Sequence, residues 1–299
     1  MINDNRAMTS QSETGRISKI FLKHVNEAFM GEQVIDRQWE MLNYSGRPDF
    51  SRAVVEYDRF ADFLRESGID VQFLAEDSRT NLDSIYVRDA SVICDKGAIL
   101  CNMGKGARQG EPAAIEQAYK AAGFQILGTI SGEGLLEGGD VVWIDERTII
   151  VGQGYRTNAE GIRQMKNLLS DCVDEVVVAQ LPHWRGPADV FHLMSVLSPV
   201  DHDKTLVYSP LMPVVLRQML LVRGHRLIEV PDEEFESMAC NVLAIAPSQC
   251  LMLSGNPKTR ALLEKAGVHV HEYAGDEISV KGAGGPTCLT RPTLRESMH

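Results

Sequence analysis

Four stretches of the chain carry residue types that can do chemistry together. Cys288 lies in Gly284-Gly285-Pro286-Thr287-Cys288-Leu289, and His192 in Val190-Phe191-His192-Leu193-Met194. Glu137 and Asp140 flank a glycine pair in Leu136-Glu137-Gly138-Gly139-Asp140-Val141. Asp83 and Asp89 lie in Asn81-Leu82-Asp83-Ser84-Ile85-Tyr86-Val87-Arg88-Asp89. A planar cation needs carboxylates to hold it, a soft nucleophile to attack its carbon and a proton carrier for the departing amine. Taken singly, each residue also has a plain structural reading. A lone Cys or His is commonly a core residue, an Asp a turn former and a glycine pair a tight turn.

For the four stretches to meet, the intervening elements must bring them together, and those elements repeat. Ser51 to Ser67 reads as an amphipathic helix that stops at Gly68 and leads into Ile69 to Leu74. Glu111 to Ala122 stops at Gly123 before Phe124 to Leu127. Thr157 and Glu160 read as a capping box, and Ser209-Pro210 and Asn256-Pro257 as helix starts with proline at the first position. The last two helices are expected to end at Gly224 and Gly267, since glycine suits the left-handed residue that closes a helix. Between helices lie paired β-like runs, Ile85 to Cys94 with Ala98 to Cys101, and Val141 to Ile144 with Thr148 to Val151.

The unit is helix, strand, loop, hairpin, repeated about every 45 to 60 residues, which marks a repeat architecture. Four copies are visible and a fifth can be assembled from the two chain ends. The expected fold is α/β, with ββαβ units around an axis, and an open α/β sheet is the alternative. Residues 1–16 read as a disordered lead-in and 17–299 as a single domain. The chemical residues fall at the starts of the first hairpin strands, so an arrangement about an axis would gather them in one funnel.

Bulk properties set the class of partner. With 30 Lys and Arg against 41 Asp and Glu, the charge of −11 argues against nucleic acid or an anionic membrane. No apolar run approaches the ~20 residues of a membrane span. The N-terminus lacks a hydrophobic signal segment, and the six cysteines are scattered without a CxxC pair. That pattern suits free thiols in a reducing compartment, hence a cytoplasmic protein. His269 and His271 share a strand face without further ligands, Gly104-Lys105-Gly106 lacks P-loop spacing, and no GxGxxG follows a strand. No metal or cofactor is expected, and a homodimer is the default assembly.

The run Leu136 to Val142, followed by Ile150-Val151-Gly152 and Arg156-Thr157-Asn158, resembles the signature of dimethylarginine dimethylaminohydrolases. So do His192-Leu193 with Ser195, and Val230-Pro231-Asp232 leading to Asn241. The chain resembles this branch of the guanidino-modifying pentein superfamily over roughly residues 17 to 295, with arginine deiminases and amidinotransferases as relatives. The resemblance implies a five-fold pseudosymmetric α/β propeller around a central funnel. It implies that Cys288 attacks the guanidinium carbon, that His192 moves the protons and that Glu137 orients His192. It further implies that Asp89, Asp83 and Asp140 bind substrate, and that Arg108 and Arg156 bind the α-carboxylate of a free amino acid. Arg88 before Asp89 and the Gly-Gly-Pro before Cys288 are shared with deiminases and amidinotransferases. Met194 stands where a deiminase has a substrate-binding Asp. The implied reaction is hydrolysis of a methylated arginine to citrulline. Deimination, dihydrolysis, amidino transfer and a non-catalytic binding scaffold are the alternatives.

Overall fold

A computed structural model describes residues 7–189 and 191–297. The elements run β1 (Met8–Thr9), β2 (Ile17–Leu22), α1 (Val25–Ala28), α2 (Glu32–Gln38), α3 (Phe50–Glu66) and β3 (Asp70–Phe73). Next come β4 (Ser91–Cys94), β5 (Gly97–Leu100), α4 (Glu111–Ala121), β6 (Ile126–Thr129), β7 (Val141–Asp145), β8 (Thr148–Gln153), α5 (Ala159–Leu168) and β9 (Glu175–Gln180). The chain closes with β10 (Leu197–Asp201), β11 (Lys204–Val207), α6 (Val214–Val222), β12 (Arg226–Glu229), α7 (Asp232–Phe235), β13 (Leu243–Ala246), β14 (Gln249–Leu253), α8 (Pro257–Lys265), β15 (His269–Tyr273) and β16 (Arg291–Glu296).

These strands form five small sheets. Four have the orders β4-β5-β6, β7-β8-β9, β10-β11-β12 and β13-β14-β15. In each, the hairpin is antiparallel and the third strand returns parallel to the second after a helix. The fifth sheet, β1-β16-β2-β3, follows the same plan with strands from both chain ends, as β16 pairs antiparallel with β2 and β2 parallel with β3. The fold is therefore the mixed α/β repeat of the pentein type, and the open-sheet alternative is excluded.

Local sequence chemistry explains most boundaries. Gly68, Gly123, Gly224 and Gly267, each two residues beyond a helix, have φ between +73° and +86°, where a side chain would be strained. Asp49 caps α3 by accepting from the Arg52 amide at 2.9 Å. Three expected boundaries moved. Asn158, not Thr157, caps α5, because the Thr157 hydroxyl accepts from the Glu137 amide at 3.1 Å. Ser209 to Leu211 forms a short 3-10 turn and α6 starts at Val214, after Pro213. Ile85 ends a 3-10 turn (Leu82–Ile85), and the strand begins only at Ser91.

Residues 7–16 correct the expectation of a disordered lead-in; residues 1–6 lie outside the described ones. β1 pairs with β16, and Thr9, Gln11, Ser12, Glu13 and Thr14 are buried. The Glu13 carboxylate is 2.6 Å from Arg88 Nη2, and both side chains are enclosed. This segment looks polar because it fills a charged interior, where three buried arginines, Arg88, Arg291 and Arg295, need acceptors.

Candidate active site

Each of the five units delivers one polar side chain from the segment entering its first hairpin strand. Asp89 precedes β4, Glu137 precedes β7, His192 precedes β10, Asn241 precedes β13 and Cys288 precedes β16. Short contacts stitch these segments together. The Gly138 amide donates to the Asp89 carbonyl at 2.9 Å and the Arg88 amide to the Cys288 carbonyl at 3.2 Å.

The glycine pair makes this approach possible. A Cβ on Gly139 would stand 2.6 Å from His192 Nδ1 and 2.7 Å from Asp89 Oδ1, and the Gly139 amide donates to that same oxygen at 3.0 Å. A side chain here would displace the imidazole.

His192 is buried with Nε2 2.7 Å from Glu137 Oε2 and Nδ1 3.9 Å from Asp89 Oδ1. Burial alone would depress its pKa, but Asp89, Asp140 and Glu137 together raise it to about 9. At neutral pH the imidazole is therefore a cation with a proton to give. Burial works against the charge of Asp89, yet His192 and Arg108 hold its pKa down to about 2. Glu137 stays below the usual carboxylate range, its burial outweighed by the hydrogen bond and charge of His192.

Cys288 is half-buried, and burial and the Asp89 charge push its pKa up, opposed by hydrogen bonds from Asn241 and Thr287. Asn241 Nδ2 donates to Sγ at 3.2 Å, while its Oδ1 accepts from the Thr287 amide at 3.1 Å and hydroxyl at 2.7 Å. The resting state is thus a thiol, and a cation arriving between Sγ and Asp89 would favour the thiolate.

Two cavities meet at the thiol and imidazole, since Cys288, His192, Asp189 and Ala283 line both. One, about 120 Å³, is bounded by Asp83, Asp89, Lys105, Arg108 and Arg156. The other, about 140 Å³, is bounded by Trp184, Phe191, Met194 and Phe235 together with Arg185 and Glu236. A carboxylate-lined chamber and a vestibule of mixed aromatic and charged walls therefore share one reactive pair.

The remaining site residues named from sequence occupy different positions. Asp83 lines the polar chamber, with Lys105 Nζ 2.6 Å from Oδ2 but off the hydrogen-bonding angle, so that oxygen retains acceptor capacity. Arg156 lines it too, with Nη1 3.5 Å from Glu137 Oε2 and Nη2 donating to the Asp189 carbonyl at 3.1 Å. Arg108 is otherwise engaged. It pairs bidentately with Glu111 at 2.8 Å, reaches Asp89 Oδ2 at 2.5 Å and donates to the Tyr86 carbonyl at 2.8 Å. With four of its five N–H donors so used, it serves to fix Asp89 more than to grip a carboxylate. Asp140 lines neither cavity; its Oδ1 accepts from the Leu193 amide at 2.9 Å and so anchors the segment behind His192. Asp140 thus stands apart from the cavities against which the sequence reading set it.

Sequence reasoning gave no site role to Asn241, Lys105 or Glu111. Asn241 was available from the repeat itself, as the polar residue entering the remaining hairpin. The Lys105 amide donates to Glu137 Oε1 at 2.9 Å, a long-range contact without a local signature. Asp89, Glu137 and His192 also place one ligand atom each within 4.8 Å of the others, which a metal could use. His269 and His271 are in edge contact on β15, away from both cavities.

The sequence matches, over residues 28–295, the family described as N,N dimethylarginine dimethylhydrolase, eukaryotic. It is 27% identical to the N(G),N(G)-dimethylarginine dimethylaminohydrolase of Pseudomonas aeruginosa across 83% of this chain and 91% of that protein. A structure of the Pseudomonas aeruginosa enzyme complexed with citrulline superposes with a TM-score of 0.72, at 24% identity over 92% of this chain and 98% of the other. An amidinotransferase of saxitoxin biosynthesis from Microseira wollei superposes at 0.78, with 16% identity over 96% and 97% of the two chains, which shows the shared fold. The chain belongs to the dimethylarginine dimethylhydrolase family of the pentein superfamily and is an amidinohydrolase-type enzyme.

Proposed function

We propose that this enzyme hydrolyses the guanidinium group of a free, N-methylated arginine, giving citrulline and a methylamine, through a covalent adduct on Cys288. The observation that carries this reading is the reactive pair, Cys288 and His192, standing where a carboxylate-lined chamber meets a vestibule that presents Phe191 and Met194.

The substrate guanidinium enters the chamber and is held by Asp89 and Asp83, whose negative charge suits a planar cation. Its charge offsets that of Asp89, and the Cys288 proton passes to solvent water as Sγ bonds to the guanidinium carbon. Asn241 Nδ2 supports the developing thiolate. His192 gives its proton to the departing amine as the carbon–nitrogen bond breaks, leaving an S-alkylthiouronium on Cys288. The neutral imidazole then takes a proton from water, whose oxygen attacks the same carbon and expels the thiolate. Loss of one proton from the O-protonated product gives neutral citrulline, and Cys288 regains its proton from solvent. Glu137 keeps the imidazole oriented through both steps.

Arg156 and Lys105 line the same chamber and supply cationic groups for an α-carboxylate, which favours a free amino acid over a protein side chain. Phe191 and Met194 line the vestibule beside His192, where a methyl group on the leaving nitrogen finds an apolar surface and ammonia would not need one. The free thiols, with no disulfide among the described residues, accord with work in the cytoplasm.

The test is product identification by mass after incubation with arginine, monomethylarginine and asymmetric dimethylarginine, each with and without glycine. Citrulline with methylamine or dimethylamine is the expected outcome. Citrulline and ammonia from arginine alone would make it a deiminase, ornithine with ammonia a dihydrolase, and ornithine only with glycine an amidinotransferase.

A further inference from the structure

A third cavity, about 250 Å³, lies between α4 and the segment from Leu74 to Thr80, apart from Cys288 and His192. Most of its wall is apolar, from Leu74, Val87, Ile115 and several alanines of α4. Two buried charges break that surface. Lys23 is only 2% exposed, and among the described residues its ammonium makes one hydrogen bond, to Thr80 Oγ1 at 2.9 Å, and no ion pair. An ammonium carries three donors, so this one is under-satisfied where burial makes that costly. Glu111 lines the same cavity, with both oxygens held by Arg108.

We propose that this cavity binds a small organic carboxylate with a short apolar body, its carboxylate on Lys23, and that occupancy is felt in the active site through Glu111, Arg108 and Asp89. The ligand class follows from the walls. An apolar chamber ending in a donor-rich cation fits an aliphatic acid, while a cation would meet Lys23 with like charge and a neutral chain would leave it under-satisfied. The neighbouring acid Asp77 offers little opposition, because Arg79 pairs with both of its oxygens, and Glu76 lies at the exposed rim.

The coupling is a continuous chain of contacts. Glu111 pairs bidentately with Arg108, Arg108 Nη1 is 2.5 Å from Asp89 Oδ2, and Asp89 Oδ1 is 3.9 Å from His192 Nδ1. Lys23 and Glu111 attract each other through space. A carboxylate on Lys23 cancels that attraction and makes Glu111 easier to protonate; burial already sets its pKa near neutrality, at about 7. A protonated Glu111 releases part of its hold on Arg108, whose charge then falls more heavily on Asp89 and weakens the grip of Asp89 on a guanidinium.

Isothermal calorimetry with sodium hexanoate on the full-length enzyme tests the site, with hexanamide as the uncharged comparator. Hexanoate is expected to bind, and hexanamide to bind ~10-fold or more weakly for want of the charge-assisted hydrogen bond. Lys23→Met and the cavity-filling Ala114→Phe should each abolish binding; Ala114→Phe leaves Lys23 in place should Lys23→Met fold poorly. Arg156→Ala should leave hexanoate binding intact, and its loss there would put the ligand in the active site and overturn the proposal. Equal affinity for acid and amide would overturn it as well. Hexanoate should raise KM for the guanidino substrate severalfold in the unmodified enzyme and not in Lys23→Met; binding without that change would sever the proposed link to Asp89.

Discussion

The imidazole of His192 stands between two carboxylates, with Nε2 2.7 Å from Glu137 Oε2 and Nδ1 3.9 Å from Asp89 Oδ1. Glu137 fixes one edge of the ring, leaving the other edge toward the chamber that Asp89 lines. In the proposed mechanism the two acids have different tasks: one orients the proton carrier, and the other attracts the substrate that will need the proton.

Glu137→Gln removes one of the anions that raise the His192 pKa to about 9. The imidazolium then loses its proton at lower pH, so the alkaline limb of the kcat profile should move down in pH and kcat fall by ~10²–10⁴. An unmoved alkaline limb would remove Glu137 from the proton chemistry.

The same raised pKa has a stability consequence. A folded-state value of about 9 against an ordinary 6.5 means that this histidine contributes stability fully below pH 6.5, which is lost as pH rises through about 9. Urea midpoints measured from pH 6 to 10 should fall across that window in the native enzyme. His192→Gln should flatten the fall.

Cys288→Ser should abolish turnover while preserving thermal stability; substantial residual activity would exclude Cys288 as nucleophile. Because burial and Asp89 raise the thiol pKa, alkylation by iodoacetamide should titrate above free cysteine. A guanidinium ligand that bears no leaving group should lower that midpoint. Asn241→Ala, which deletes the 3.2 Å hydrogen bond to Sγ, should raise it.

Gly139→Ala tests the crowding between strand starts. Its Cβ would meet His192 Nδ1 at 2.6 Å, so kcat should drop ~10²-fold from misplacement alone, with the fold retained. Circular dichroism together with kcat separates this outcome from unfolding.

Arg156→Ala should raise KM for a methylated arginine more than for its decarboxylated analogue, since only the former has a carboxylate to lose. Equal increases would reassign Arg156 to a role in positioning Glu137, 3.5 Å away.

Glu13→Gln leaves the buried Arg88 without its counter-charge, which should cost about 3–5 kcal/mol in urea unfolding. An effect near zero would mean that the Glu13–Arg88 pair contributes nothing to the stability of the fold.

Much of this protein is written locally. Helix-ending glycines, hairpin runs and their spacing specify the repeating unit, because backbone propensity and hydrophobic period act over neighbouring residues. The positions of Asp89, Glu137, His192 and Cys288 at successive strand starts follow from that repeat. What each polar side chain does at its position was decided by tertiary packing. Arg108, implied as a carboxylate binder, is drawn to Glu111 and Asp89 by burial, since a desolvated guanidinium takes the nearest acids. Asp140 turns away to the Leu193 amide, and Glu13, in a segment that reads as a loose polar tail, becomes the partner of a buried arginine. Such pairings join residues as far as 75 positions apart, and their energy depends on the local dielectric, which exists only once the chain has folded.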